Sequence, residues 1–283
     1  MADLLLLLVP ISLFLTLLGH AATFFLLSRK TAVAGPPPPV TILKPVKGEE
    51  PGLYENLASF AAQDFPDYEM LIGAEDATDP ALTVARQVQR DFPHARIRVV
   101  TGARRLGLNP KVNVLASLAR HAAHDVVVIS DSNVRAGKSY LRETAAELSR
   151  PSVGLVTNVL TGRGRGAGAT FENLHLHSFV AGGTSLARVA AGRACVIGKS
   201  MMFRLSDLSK LGGFWAVRNV LAEDYVIGRS FERAGYEVAL SPCLVEVTND
   251  GWTLDRFVNR HLRWAQMRRR VAPLAYFAEV LLN

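Results

Sequence analysis

Four groups of polar residues in this sequence have types and spacings suited to catalysis or to anion binding. Three of them are acidic: Glu75-Asp76, Asp131-Ser132-Asn133 and Glu223-Asp224. The fourth is basic, since the segment 256–270 carries six arginines, no acid, and Phe257, His261 and Trp264 between them. Carboxylates act as general bases or bind hard cations, and arginines bind phosphates. Each group also has an ordinary explanation as a turn, a helix cap or a solvated helix face.

The elements that must position these groups alternate along the chain. Short β-rich runs are predicted as strands at Val40–Leu43, Glu69–Gly73, Arg96–Val100, Val126–Ser130 and Val153–Thr157. Helices are predicted between them at Leu53–Ala62, Pro80–Asp91, Lys111–His121 and Ser139–Leu148. This alternation is typical of an α/β fold, with a mixed, mainly parallel sheet flanked by helices. Ligands of such sheets bind at the carboxyl ends of the strands, where the first two acidic groups lie.

The pattern is looser beyond residue 162. A glycine- and arginine-rich loop is expected at Gly162–Gly168, a helix near Thr170–Ala187 and a short strand around Cys195–Phe203. Further helices are expected near 222–234 and 253–270, where Arg256, Arg260 and Arg263 would form one basic stripe.

The N-terminal segment Leu4–Leu27 contains 24 residues without a charged side chain. At about 1.5 Å per residue this is long enough to cross a hydrocarbon core of roughly 30 Å. Ala32-Val33-Ala34 imitates a signal-peptide cleavage site, but the segment has no basic residue before it and is longer than a signal core. We therefore expect a retained membrane anchor. Asp3 precedes it and Arg29-Lys30 follow it, which predicts a cytoplasmic location for the rest.

These boundaries divide the chain into four parts. Residues 1–30 are the predicted transmembrane anchor and 31–39 a Pro-rich linker. Residues 40–252 are the predicted catalytic domain, and 253–283 a basic, amphipathic, membrane-proximal helical segment.

Composition limits the partners. Of the 283 residues 49% are hydrophobic and 20% charged, as in a packed globular protein, and the net charge is +7. A basic protein of this kind binds nucleic acid, an anionic membrane or a phosphorylated substrate. The two cysteines exclude a disulfide scaffold, and the histidines lack zinc-site spacing. Gly198-Lys199-Ser200 resembles the end of a phosphate-binding loop, but its glycine spacing is wrong, so we set it aside.

Six motifs together resemble the ceramide glucosyltransferases, in the same order and over nearly the whole chain from Val40 to Arg270. They are Val40-Thr-Ile-Leu-Lys-Pro45, Glu75-Asp76 with Asp79-Pro80, Gly107-Leu-Asn-Pro-Lys111-Val-Asn113, Asp131-Ser-Asn133, Ala222-Glu-Asp224-Tyr225 and Arg260-His-Leu-Arg263-Trp264.

The resemblance implies a GT-A fold and inverting transfer of a hexose from a UDP-sugar to the primary hydroxyl of ceramide. It implies that Asp76 faces the uridine, that Asp131 binds a metal with the diphosphate, and that Asp224 is the catalytic base. Lys111, Arg260, Arg263 and Trp264 are implied to bind the donor or acceptor. The expected cofactor is Mg²⁺ or Mn²⁺, and the expected partners are the UDP-sugar, a ceramide-like lipid and the membrane, with no nucleic acid.

Two departures from the family pattern stand out. Many relatives have a second aspartate where this chain has Asn133, so metal binding would rest on one carboxylate. Family members also continue into further membrane helices, whereas the apolar run Val271–Leu282 is too short to span a membrane alone.

Four alternatives remain from the sequence. The acceptor is another lipid, such as a hopanoid or diacylglycerol. The protein is a processive polysaccharide synthase, although Arg260 and the single visible anchor disfavour that. Or it is a non-catalytic anchored nucleotide-binding protein, or a basic nucleic-acid-binding module.

Overall fold

The computed structural model describes residues 2–29, 35–274 and 276–277. Several predicted features lie outside the described residues. They are Lys30, residues 31–34 of the predicted linker with the Ala32-Val33-Ala34 sequence, and much of the C-terminal apolar run.

The described strands form one mixed sheet, in the order β3-β2-β1-β4-β7-β6-β8-β5. Their bounds are β1 Val40–Pro45, β2 Tyr68–Gly73, β3 Arg96–Val100, β4 Val126–Ile129, β5 Val134–Ala136, β6 Val153–Arg163, β7 Met201–Arg204 and β8 Glu237–Thr248. The α-helices are α1 Ala2–Leu27, α2 Leu53–Ala61, α3 Ala81–Asp91, α4 Pro110–Ala119, α5 Tyr140–Leu148, α6 Ala167–His175, α7 Ala181–Ala191, α8 Leu205–Lys210, α9 Gly213–Ala216, α10 Glu223–Arg233 and α11 Leu254–Val271.

The first half of the sheet is parallel, and its strands and helices are as predicted. β1 pairs in parallel with both β2 and β4, and β2 with β3. All four residues of β4 are buried: Val126 and Val128 join one core cluster, and Val127 and Ile129 the cluster on the other face. An apolar run without alternation is therefore explained by cores on both sides of the sheet.

The second half differs from the sequence prediction. β8, with twelve residues, was not predicted, and β6 continues to Arg163, so Gly162 and Arg163 are strand residues instead of loop. β7 is antiparallel to both β4 and β6, while β6 and β8 are parallel. Since Met201 pairs with Ile129, the residues just before β7 lie beside the end of β4.

The predicted helix near 170–187 is a longer helical rod. α6 continues through a π-helical turn at Leu176–Val180 into α7, so the rod spans 167–191. We call this segment the α6–α7 rod. One end packs against α11 and the other against α1.

α1 packs closely on the rod. A Cβ at Gly19 would lie 3.1 Å from the Gly182 backbone, so glycine allows an approach that a larger residue would push apart. The Thr23 hydroxyl donates to the Ala181 carbonyl at 3.2 Å. Leu26 is 1% exposed and belongs to one core cluster. Within the described residues, Val9–Leu27 is the one helical stretch long and apolar enough to cross a membrane, with mean hydropathy 1.8.

Candidate active site

The end of β4 places Asp131 between two lysines. Its Oδ1 lies 2.8 Å from Lys111 Nζ and its Oδ2 lies 2.9 Å from Lys199 Nζ. Burial favours a higher pKa for Asp131, but the two ammonium groups outweigh it and hold the pKa well below its usual range. Asp131 is therefore an anion at any physiological pH.

Lys111 forms ion pairs with two of the acidic groups found in the sequence, those of Asp131 and Glu223. Its Nζ also lies 2.9 Å from Glu223 Oε1. Burial lowers the pKa of Lys111, but Asp131, Glu223 and Asp224 together raise it above its ordinary value. The Asn109 side chain fixes the start of α4, because it accepts from Lys111 N and donates to Glu223 Oε2. The 107–113 motif thus holds a permanently charged lysine between the two acids.

Asp224 follows Glu223 at the start of α10, close enough to Lys111 to raise the pKa of that lysine. Its Oδ2 accepts a hydrogen bond from Gly198 N at 2.7 Å, and its Oδ1 accepts from Tyr225 N at 2.8 Å. A Cβ at Gly198 would lie 2.8 Å from Asp224 Oδ2, so this contact requires glycine. Burial and the neighbouring Glu223 raise the pKa of Asp224 above its ordinary value. A carboxylate of raised pKa is a stronger base.

A first cavity of about 670 Å³ opens at the ends of β1 and β2. It is lined by Asp76, Lys111 and Asp131, among others. Asp76 Oδ1 accepts hydrogen bonds from the Thr78 backbone and hydroxyl at 2.8 and 2.7 Å, which lower the pKa of Asp76. Asp76 therefore faces this cavity as an anion held by a tight turn.

A second cavity of about 690 Å³ adjoins the first and shares Asp131 and Ser132 with it. Lys199, Arg260 and Arg263 line it, together with Trp252 and Arg256. The helix that supplies the arginines, α11, begins at a Thr253 cap whose hydroxyl accepts from Arg256 N. A cavity with this many cations suits an anionic ligand such as a diphosphate.

Trp264 does not line either cavity. Its ring lies beside Arg260, with the guanidinium carbon 4.2 Å from the ring centroid. Five of the seven predicted site residues thus line the two cavities: Asp76, Lys111, Asp131, Arg260 and Arg263. Asp224 lines neither cavity and is held by the backbone of Gly198 and Tyr225, and Trp264 packs on Arg260.

Lys199 is a site residue that sequence reasoning set aside. Besides Asp131 it contacts Asn133, since its Nζ donates to Asn133 Oδ1 at 2.7 Å. The discarded Gly198-Lys199-Ser200 run is not a phosphate-binding loop, but the antiparallel pairing of β7 with β4 brings it to the site. No spacing rule in the sequence reveals this register.

A third cavity of about 890 Å³ lies between residues 219–222 and α11. Val220, Leu221, Met267 and Val271 give it apolar walls, and Arg263 borders both it and the second cavity.

The residues at Asp131 fit a divalent cation that is shared with a ligand. In the part of the chain that the structure describes, no three His, Cys, Asp or Glu side chains are grouped to hold a metal by themselves. Mg²⁺ is commonly bound by one or two carboxylates together with substrate phosphates. The Asp131 side chain is 23% exposed and borders both cavities, and both of its oxygens pair with lysine ammonium groups, so a cation would have to share this carboxylate with Lys111 and Lys199.

Solved structures show the same fold. The mannosyltransferase PcManGT from Pyrobaculum calidifontis, in complex with GDP-Man and Mn²⁺, aligns with a TM-score of 0.63 at 22% identity, covering 98% of this chain and 76% of that one. TarS from S. aureus aligns with a TM-score of 0.53 at 16% identity, covering 83% and 75%. The architecture is a GT-A-like mixed sheet flanked by helices, as expected.

Sequence comparisons are more specific. Ceramide glucosyltransferase 3 of Caenorhabditis elegans is 29% identical over 251 residues, which are 86% of this chain and 53% of that protein. The ceramide glucosyltransferase of Komagataella phaffii is 32% identical over 206 residues, 64% of this chain and 40% of that protein. The chain thus spans about half the length of the curated relatives it matches. The family model for glycosyl transferase family 21 matches residues 4–283, and the chain belongs to that family.

Proposed function

We propose that this chain is a membrane-anchored, inverting glycosyltransferase that moves a hexose from a UDP-sugar to the primary hydroxyl of ceramide. The observation that carries the proposal is a pair of carboxylates with opposite pKa shifts: Asp131, which pairs with Lys111 as a permanent anion at two cavities, and Asp224, whose pKa is raised by burial and by Glu223. Family membership supports the same reaction.

The donor would occupy the first two cavities. Asp76 would contact the uridine, and the diphosphate would extend past Asp131 to Lys199, Arg260 and Arg263. Arginine binds phosphate oxygens through two parallel donors, which orients the leaving group. A divalent cation at Asp131 would add positive charge against the diphosphate as it leaves.

Asp224 would accept the proton of the acceptor hydroxyl. Inverting transfer is a single displacement, so one base and one stabilised leaving group suffice. The raised pKa of Asp224 favours proton abstraction near neutral pH, and Glu223, paired with Lys111 and Asn109, would keep it raised.

A lipid acceptor fits the third cavity. Its apolar walls at Val220, Leu221, Met267 and Val271 suit hydrocarbon chains, and Ala222 at its edge immediately precedes Glu223 and Asp224. A two-chain lipid stays in the bilayer, which would explain an apolar helix packed directly on the domain.

The decisive experiment incubates membranes containing the chain with each UDP-sugar and ceramide, and identifies the product by mass and anomeric configuration. We expect a hexosylceramide of inverted configuration, absent with Asp224→Asn. Transfer only to diacylglycerol or a hopanoid would establish the sibling reaction. UDP binding without transfer to any lipid would favour a non-catalytic nucleotide-binding protein.

The proposed orientation is testable separately. Arg29 follows the apolar helix, so the catalytic domain would lie in the cytoplasm. Protease added to sealed right-side-out cells should leave the domain intact, and digestion there would reverse the assignment.

A further inference from the structure

Glu172 is a fully buried acid that belongs to none of the six motifs. It lies on α6 in the α6–α7 rod and is 0% exposed. Its Oε1 is 3.1 Å from Arg260 Nε, an ion contact without hydrogen-bond geometry, and its Oε2 is 3.0 Å from His261 Nε2. A buried carboxylate is costly unless it is paired, and both partners here lie on α11.

The contact with Arg260 involves a specific part of the guanidinium. Nε faces Glu172, while the residue lines the second cavity with Asp131 and Lys199. The guanidinium carbon lies 4.2 Å from the Trp264 ring centroid and 5.4 Å from that of Trp252. A guanidinium is planar and its donors form a fixed fork. Fixing Nε and the plane therefore also fixes the direction of the two terminal nitrogens.

The charges around Arg260 make such support necessary. Lys199 and Arg263 line the same cavity, and both repel Arg260. Glu172 is buried and does not line this cavity, so its negative charge offsets the repulsion at Arg260 without occupying the cavity.

We propose that Glu172 is a positioning residue, which holds the Arg260 guanidinium so that its terminal nitrogens meet the diphosphate of the donor. The inference rests on the proposed function, because it assumes a nucleotide diphosphate in the second cavity.

The competing explanation is that Glu172 only holds α6 against α11 through its ion pairs (the clip). His261 provides the control, since it binds the same carboxylate but does not line the cavity. Glu172→Gln and His261→Gln each weaken the clip, but only the first removes the charge that faces Arg260.

The test uses the full chain purified in detergent, with UDP affinity measured by calorimetry and donor KM and kcat by product formation. Glu172→Gln should weaken UDP affinity and raise donor KM by about tenfold, the effect of one misaligned charged hydrogen bond. His261→Gln should change both less than about twofold, although thermal unfolding should show that both variants are less stable.

Arg260→Lys keeps the charge but removes Nε, and it should lower UDP affinity similarly; adding Glu172→Gln to it should then have little further effect. If Glu172→Gln does not fold, Glu172→Asp, which keeps the charge but withdraws it from Arg260 by one methylene group, takes its place with the same expected loss of UDP affinity. The inference would be wrong if Glu172→Gln and His261→Gln changed UDP affinity and donor KM equally. It would also be wrong if UDP affinity stayed unchanged in Glu172→Gln or in Arg260→Lys. Neither result would affect the proposed function. An unaltered chain that binds no UDP would overturn the proposed function as well.

Discussion

The two sides of the candidate site treat their carboxylates in opposite ways. On the β4 side, Asp131 lies within 3 Å of two lysine ammonium groups, which lower its pKa. On the α10 side, Asp224 has backbone N–H partners but no ion pair among the residues that the structure describes, and burial and Glu223 raise its pKa. Two carboxylates whose pKa values are shifted in opposite directions suit different roles, one as a stable anion and the other as a base. Their surroundings, and not their chemical type, cause this difference.

The comparison also has consequences for stability. A carboxyl whose folded-state pKa is lowered contributes stability above its unfolded pKa, and this stability is lost as pH falls. A carboxyl whose folded-state pKa is raised has the opposite sign, so it reduces stability as pH rises from its unfolded pKa to its folded-state pKa. Asp131 should therefore stabilise the fold at pH 7, while Asp224 should destabilise it.

The largest effect is expected from Asp224→Asn, which removes the base with almost no change of shape. The chemical step should slow by about 10²–10⁴-fold. UDP affinity should change less than about twofold, and the free energy of unfolding at pH 7 should stay equal or rise. Rate, calorimetry and denaturant unfolding check the three parts. If Asp224→Asn transferred sugar at nearly the parental rate, Asp224 would not be the base, and the proposed division of roles between Asp131 and Asp224 would be wrong.

Asp131→Asn should fail in the other way. It leaves Lys111 and Lys199 without their shared anion, so we expect a loss of about 3 kcal/mol in the free energy of unfolding. Transfer should also be abolished, as it should be by EDTA in the unaltered protein. Full activity with excess EDTA would exclude the proposed cation, and unchanged stability would show that the lysines do not depend on Asp131.

Arg263→Lys tests the boundary between the second and third cavities. The change keeps the charge and loses the two-pronged donor. If Arg263 binds the diphosphate, kcat/KM for the donor should fall by about tenfold. The exposed Arg269, which borders only the third cavity, provides the matched control Arg269→Lys. If Arg263→Lys kept wild-type turnover, Arg263 would act only as a surface charge and not as a ligand of the diphosphate.

The smallest expected effect is a shift in pH dependence. Glu223 raises the pKa of Asp224, so Glu223→Gln should lower that pKa. Asp224 would then remain deprotonated at lower pH, and the acid limb of the kcat/KM profile should move to lower pH. A limb that stays in place, or moves upward, would show that Glu223 does not tune the base.

The sequence predicted the β4 side of the site better than its surroundings. Asp131 was found because a buried parallel strand leads directly to it, and the apolar run Val126–Ile129 is visible without any knowledge of the fold. The groups around Asp224 and Arg260 were also found from residue type and spacing, but their roles came from the family resemblance, and no pattern predicted their contacts. Their roles remain predictions.

Lys199 and Glu172 were missed for a physical reason. Lys199 reaches Asp131 through antiparallel pairing across 67 intervening residues of chain, and Glu172 reaches Arg260 between packed helices. Neither contact leaves a periodicity or spacing in the sequence. The long strand β8 was missed likewise, because its Ser241-Pro242-Cys243 interrupts an otherwise strand-like run.

The packing of α1 on the α6–α7 rod bears on how the protein can be handled. Leu26 is part of the same core cluster as Ala181, and Ala22 is also buried. The C-terminal part of α1 thus packs into the core of the folded body and is not merely a flexible attachment to it. Expression from Pro36 onward would uncover this apolar surface, so a shortened protein made for crystallisation should aggregate unless its new surface is redesigned.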